Sequence, residues 1–237
     1  MEEFTQGVRF DTLQLSPEIM RALAQRNIET STPIQAGCIP PMMAWQDVIA
    51  KAPTGTGKTF ATLATALQLK LDKKYDKIVY ARNPVSCGAP MGFLPGDVDD
   101  KYSPFMGGLM DNLESICRHS TLKPALNDLK AKIETVPIAF MRGRSFESTL
   151  LIVDEAQNLD LVTLKTILTR VGNYSKVILL GSMNQIDDTV QNRKEKCDFQ
   201  RVVEAIQHLD YVGYVELTQS MRSKICAELD DILSQIK

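Results

Sequence analysis

The chain has little that would tie it to a membrane, a disulfide framework or histidine-based chemistry. Its 237 residues contain no apolar run near the ~20 residues of a membrane span. The five cysteines, Cys38, Cys87, Cys117, Cys197 and Cys226, are widely spaced and form no C-x-x-C pair. That spacing supports neither disulfide cross-linking nor a zinc site, and points to reduced thiols in or near the core. His119 and His208 are the only histidines, which excludes a histidine cluster. The formal net charge is −2, so nucleic acid would have to be met by a local basic patch and not by the chain as a whole. Repeats, low-complexity tracts and long Gly/Ser linkers are missing as well. Met1-Glu2-Glu3-Phe4 is acidic and has no apolar signal core, so the cytoplasm is the expected compartment.

What is present is an ordinary globular composition, 44% hydrophobic and 24% charged. The length suits one large domain, or a core domain with a small annex. Short apolar runs alternate with helical patterns. Ser16-Pro17-Glu18 opens a helix to about Gln25, and Thr32-Pro33 opens a short one that Pro40-Pro41 should end. Strands are expected at 47–52, 77–80, 136–141, 150–153, 176–180 and 211–217. Helices are expected at 58–71, 104–118, 160–171 (capped by Asp160, ended by Gly172) and 221–236. The Pro-, Gly- and Asp-rich stretch 83–103 reads as a long loop. Buried strands alternating with helices predict a mostly parallel sheet covered on both faces, with ligands at the carboxyl ends of its strands.

Three strand ends carry chemistry. After the first strand comes Ala52-Pro53-Thr54-Gly55-Thr56-Gly57-Lys58-Thr59. It departs from the phosphate-loop pattern G-x-x-x-x-G-K-[ST] only at Ala52. Gly55 and Gly57 let the backbone wrap around phosphate oxygens, and the following helix turns its positive end towards them. Lys58 can reach the β and γ phosphates, and the Thr59 hydroxyl can ligate Mg²⁺. The apolar run Leu150-Leu151-Ile152-Val153 delivers Asp154 and Glu155 to its end. Asp154 suits the surroundings of Mg²⁺, and Glu155 suits activation of an attacking water. Gln185, after Leu180-Gly181-Ser182, is a candidate partner of the γ-phosphate or the water, against the alternative of an ordinary turn. Arg222 is a candidate for stabilising transition-state charge, against that of a surface arginine at a helix start. Arg82, Arg142 and Arg144 are candidate phosphate contacts for nucleic acid, against solvated or ion-paired roles.

Two family resemblances follow from these residues. Residues 1 to about 62 resemble the start of a DEAD-box RNA helicase. The carrying residues are Phe10, Leu13-Gln14-Leu15-Ser16-Pro17, Ser31-Thr32-Pro33-Ile34-Gln35, Asp47-Val48-Ile49-Ala50 and Thr54-Gly55-Thr56-Gly57-Lys58-Thr59. That resemblance implies ATP as the nucleotide, with Gln35 reading the adenine edge and Phe10 stacking on the base. It also accounts for Ala52. From about residue 75 onward the chain is similar to the PhoH-like ATPases, relatives of superfamily I helicases. The matching stretches include Ala81-Arg82-Asn83-Pro84-Val85, Phe140-Met141-Arg142-Gly143-Arg144-Ser145, Val153-Asp154-Glu155-Ala156-Gln157-Asn158, Gln185-Ile186-Asp187 and Glu216-Leu217-Thr218-Gln219-Ser220-Met221-Arg222-Ser223. Ser182 stands where the PhoH-like pattern has Asp, and Gln157 where a DEAD box ends in an acid. The chain thus reads as a hybrid joined near the phosphate loop.

Together these readings imply an α/β fold: a single RecA-like P-loop NTPase domain at 46–237, preceded by a small helical, adenine-recognising cap at 1–45. The implied activity is Mg²⁺-dependent ATP hydrolysis coupled to RNA or other single-stranded nucleic acid. The alternatives are a nucleotide-binding module without turnover, or an isolated DEAD-box lobe. The implied cofactors are ATP and Mg²⁺, bound by Pro53, Thr54, Gly55, Thr56, Gly57, Lys58 and Thr59, with Thr59 and Asp154 on the metal. The PhoH-like resemblance also implies a homo-oligomeric ring in which Arg222 serves a neighbour's site.

Overall fold

The structure is a computed structural model, and it describes residues 6–25, 27–52, 58–72, 74–82, 107–117, 133–182 and 197–216. Six strands form one parallel sheet: β1 (Asp47–Lys51), β2 (Lys77–Arg82), β3 (Ile133–Pro137), β4 (Thr149–Asp154), β5 (Lys176–Gly181) and β6 (Val212–Glu216). Their order is β3-β2-β4-β5-β1-β6. The helices are α1 (Pro17–Gln25), α2 (Pro33–Met43), α3 (Lys58–Leu71), α4 (Gly107–Cys117), α5 (Leu161–Leu168) and α6 (Asp198–Ile206).

Strand alternation divides the core in two. Val48, Ala50, Ile78, Tyr80, Leu150, Ile152, Ile178 and Leu180 face one side and pack with residues of α2, α3 and α4. Ile49, Val79, Ala81, Leu151, Val153, Val177 and Leu179 face the other and pack with residues of α5 and α6. A sheet covered on both faces needs runs apolar at every position, and β4, buried along its whole length, is the clearest example. A third, smaller cluster joins Phe10, Leu13, Ile19, Leu23, Ile39 and Ala61, and so ties the N-terminal segment to α2 and α3. Among the described residues no helix is long and apolar enough to cross a membrane. Cys38 and Cys197 are buried free thiols, and burial pushes the Cys38 thiol up to about 12.

Several elements differ from the expected ones. Helix α2 does not stop at Pro40-Pro41 but runs through both to Met43. Both prolines lack an N–H, yet a helix buried over most of its length keeps its packing when it loses two hydrogen bonds. It ends instead in a Schellman arrangement, Trp45 N–H to Met42 C=O (3.2 Å) and Gln46 N–H to Pro41 C=O (3.0 Å). Trp45 takes the left-handed position, at φ 66°, that glycine usually fills. Strand β3 starts earlier than expected and stops at Pro137, and Ile138–Met141 is a 3-10 turn.

Helix α5 is capped by Asp160, which accepts from the Thr163 N–H, but it ends at Leu168 and not near Val171. The backbone beyond it is claimed by Phe146: Phe146 N–H bonds to Arg170 C=O (3.0 Å) and Gly172 N–H to Phe146 C=O (2.7 Å). A side chain at Gly172 would lie 2.8 Å from that carbonyl, so this glycine serves a close backbone approach and not a helix stop. Helix α6 was not expected at all. The expected loop at 83–103 and the helix at 221–236 lie outside the described residues.

The edge strand β6 is held to β1 by a cross-strand ion pair. Lys51 Nζ lies 2.7 Å from Glu216 Oε1, and the Tyr214 hydroxyl donates to Oε2. Partial burial pushes the Glu216 carboxyl up, but Lys51 and Tyr214 outweigh it and hold the group below its ordinary 4.5. A depressed carboxylate adds stability above its unfolded-state value and loses it as the pH falls through the folded-state value. Glu216→Gln is expected to cost a few tenths to about 1 kcal/mol at neutral pH, a partly exposed pair being screened by solvent. Urea unfolding should show that difference fading below the ordinary glutamate value, and a difference that persists in acid would contradict the assignment.

Candidate nucleotide and metal site

The site is built where β2, β4, β5 and β1, neighbours in that order, reach their carboxyl ends. Register places Arg82 beside Asp154, and Lys51 beside Gly181. Helix α3 begins at Lys58, just past the end of β1. The described strand ends at Arg82, Asp154, Gly181 and Lys51 thus form one continuous rim.

Asp154 is the buried acid of this rim. It is 3% exposed, and the Tyr80 hydroxyl donates to its Oδ2 at 2.6 Å. Tyr80 pairs with Ile152, so its ring lies on the same sheet face as Asp154, two residues further along β4. Burial pushes the Asp154 carboxyl above the usual carboxylate range. The Tyr80 hydroxyl pulls it back, the Glu155 charge adds to the rise, and Lys58 and Arg82 oppose it. A carboxylate kept in so dry a place is stabilised by further positive charge.

Glu155 follows with a left-handed backbone, φ 55° and ψ 40°. In this conformation its N–H bonds to Asp154 Oδ1 at 3.0 Å. For a non-glycine residue the left-handed region costs on the order of 1 kcal/mol, and such strain is concentrated at functional turns. The Glu155 carboxylate accepts from Gln157 Nε2 (2.6 Å), and its other oxygen lies 4.0 Å from Arg82. Gln157 is fully buried, and its Oε1 accepts from the Ser182 N–H at 3.0 Å. Across the rim, Lys58 is 5% exposed and donates from Nζ to the Ala52 carbonyl at 3.2 Å.

The residues fit a triphosphate with a hard divalent cation. The Ser182 hydroxyl is fully buried and has no hydrogen-bond partner among the described residues. A buried hydroxyl left so costs about 1–3 kcal/mol and marks a place for a polar ligand. Asp154 offers a buried carboxylate, and Thr59 a hydroxyl in the first turn of α3. Among the described residues no three His, Cys, Asp or Glu side chains gather to hold a metal alone. Mg²⁺ needs no such cage, being held through one or two protein oxygens and the oxygens of its substrate.

The other expected site residues fall differently. Gln35 is buried at the start of α2, where its Oε1 accepts from the Thr32 N–H at 2.9 Å in a capping box. The carbonyl oxygen keeps a second lone pair and the NH₂ its donors, so the cap bond does not by itself remove the expected adenine-reading role. Phe10 is 4% exposed within the third core cluster, which leaves no ring face open for stacking on a base. Its expected stacking role gives way to packing. Arg144 is paired with Glu134 at 2.6 Å and lies 5.2 Å from the Phe146 ring, whereas Arg142 is exposed. Residues 53–57, Gln185 and Arg222 lie outside the described residues. Sequence reasoning missed Tyr80 and the bridging role of Gln157. The matching stretch Val153 to Asn158 contains Gln157 but gives it no partner, and no motif contains Tyr80, since each role depends on a partner on another strand.

Comparison with known proteins gives the family and the fold. A family model described as PhoH-like protein matches residues 27–234, running through the phosphate loop and both acidic positions. A PhoH-like protein of Bacillus subtilis (strain 168) is 30% identical over 203 residues, 86% of this chain and 62% of its own length. One from Synechocystis is 40% identical over 135 residues, 57% of this chain and 40% of its own length. The chain therefore spans less than two thirds of these relatives. Among solved structures, the DEAD-box helicase Mss116 bound to ssRNA and UDP-BeF aligns with 90% of this chain and 46% of its own, with a TM-score of 0.56 at 18% identity. Dbp5 of S. cerevisiae bound to RNA and ADP BeF3 aligns over 89% and 52%, at 0.52 and 15%. Likeness at that identity concerns the fold, which is that of a RecA-like helicase lobe of the P-loop NTPase type. The chain belongs to the PhoH-like family.

Proposed function

We propose that the chain binds ATP with Mg²⁺ on this rim and hydrolyses it, with turnover coupled to RNA or another single-stranded nucleic acid. The observation that carries the reading is the buried Asp154, oriented by Tyr80 and within the field of Lys58, with Glu155 next to it. Bound Mg²⁺ would supply positive charge at the phosphoryl oxygens, held by Thr59 and Asp154. The backbone of Pro53 to Gly57 cradles the phosphates, and Lys58 moves from the Ala52 carbonyl to their β and γ oxygens. Glu155 accepts the proton of the attacking water. Gln185 orients that water, and Arg222 offsets the developing charge, in the ring reading from a neighbouring copy. Residues 1–45 contribute Gln35 to the base edge. Coupling to RNA rests on the fold shared with helicases whose structures hold RNA, and on the exposed Arg142.

The test is binding of a non-hydrolysable ATP analogue with Mg²⁺. Lys58→Ala is expected to weaken it about 10- to 100-fold, the ~1.5–3 kcal/mol of hydrogen bonds to charged groups. Affinity equal to wild type in a folded variant would remove the triphosphate from this rim. A second reading, binding without turnover, is favoured by one observation, Ser182 in place of the carboxylate of the PhoH-like pattern.

A further inference from the structure

Gln157 is a fully buried polar side chain that the proposed mechanism leaves without a role. Its two ends point to different strands. Nε2 donates to Glu155 Oε2 at 2.6 Å, and Oε1 accepts from the Ser182 N–H at 3.0 Å. Glu155 belongs to the turn after β4, and Ser182 directly follows β5. One carboxamide therefore ties the acid at one strand end to the backbone at the next. Glu155 needs such a tie. It is half-buried in a left-handed turn, and its other contact, Arg82, is at 4.0 Å. A carboxylate free to turn towards Arg82 would spend part of its time away from any water it has to deprotonate.

We propose that Gln157 is a positioning residue, whose carboxamide aims the Glu155 carboxylate and couples that aim to the end of β5. The proposal rests on the hydrolytic reading of this rim. The chemistry requires a side chain that donates at one end and accepts at the other. A carboxylate accepts at both ends, and an apolar chain does neither.

That requirement gives a sharp test on the full chain. Gln157→Glu keeps the shape. Ionised, it sets a second negative charge against Glu155 and loses the donor. Protonated, it restores both bonds, its O–H donating to Glu155 and its C=O accepting from Ser182. Among the described residues, Glu155 is in contact with this position, and Asp154 beside it lies within the fields of Glu155, Lys58 and Arg82. Burial and the Glu155 charge favour the protonated form as the pH falls. Steady-state ATP turnover is measured from about pH 6 to 8.5 for wild type, Gln157→Glu and Gln157→Met, with analogue affinity and thermal melting as companions. The expected result is a kcat at least about tenfold below wild type for Gln157→Met at all pH values, with KM little changed. For Gln157→Glu the deficit should be of that size or larger at the alkaline end and shrink steadily towards acid.

A folded Gln157→Met with wild-type kcat would overturn the proposal. So would a Gln157→Glu deficit that stays constant with pH, or variants that lose only KM or analogue affinity. If wild type itself shows only the background rate of Glu155→Gln while still binding the analogue, it is the hydrolytic reading that fails, and the two failures are distinct.

Discussion

Glu155→Gln is expected to lower ATP turnover by about 10²–10⁴-fold, the range a positioned general base contributes. The substitution is nearly isosteric. Its amide oxygen can still accept from Gln157, so the tie to the end of β5 survives while the proton acceptor is lost. The left-handed backbone and its N–H bond to Asp154 Oδ1 do not depend on the side-chain charge. Analogue affinity should therefore stay close to wild type, and the loss should fall on kcat. The measurement is turnover with and without RNA, beside analogue binding. Equal rates for wild type and variant would select the reading of nucleotide binding without turnover.

Phe199→Ala is expected to cost about 3–5 kcal/mol, the usual range for removing a fully buried aromatic side chain. For a chain of this size that is about 6–20 °C in Tm. The site explains why the cost should be at the full end. The ring of Phe199, from α6, lies against Gly181 at the end of β5. A methyl group built on Gly181 would sit 2.5 Å from it. Helix and strand end are thus packed with no spare volume, directly behind the Ser182 that bonds to Gln157. Little can collapse into the space the ring leaves. Thermal or urea unfolding measures it, and a loss below about 1 kcal/mol would mean that α6 is not seated on the sheet as described.

Much of this arrangement was legible in the chain. The run Leu150 to Val153 is apolar at every position before the acid Asp154, which only a strand buried on both faces requires. Ser16-Pro17 and Thr32-Pro33 marked two helix starts because capping and first-turn proline are local effects. Helix α6 carried its own signal in Phe199, Val202, Val203 and Ile206, one face at helical spacing. The absence of a proline or a Ser/Thr cap at Cys197 hid it. Pro40-Pro41 misled for the opposite reason: the local cost of two missing N–H groups is real, but the buried face of α2 outweighs it.

The sequence alone determined the chemistry of the rim: a lysine and a threonine opening a helix, and two acids ending a buried strand. These follow from short-range rules, since side-chain type and the turn or helix start that presents it lie within a few residues of each other. Only the tertiary structure decided which of these groups meet. Tyr80 and Asp154 are 74 positions apart, and Gln157 and Ser182 are 25. They become partners because β4 lies between β2 and β5. Long-range packing also closed Phe10 into a core, whereas the bond of Gln35 to Thr32, three residues away, is a local cap. A residue's contacts follow from strand order and burial, which sum over the whole chain, whereas its chemistry is its own.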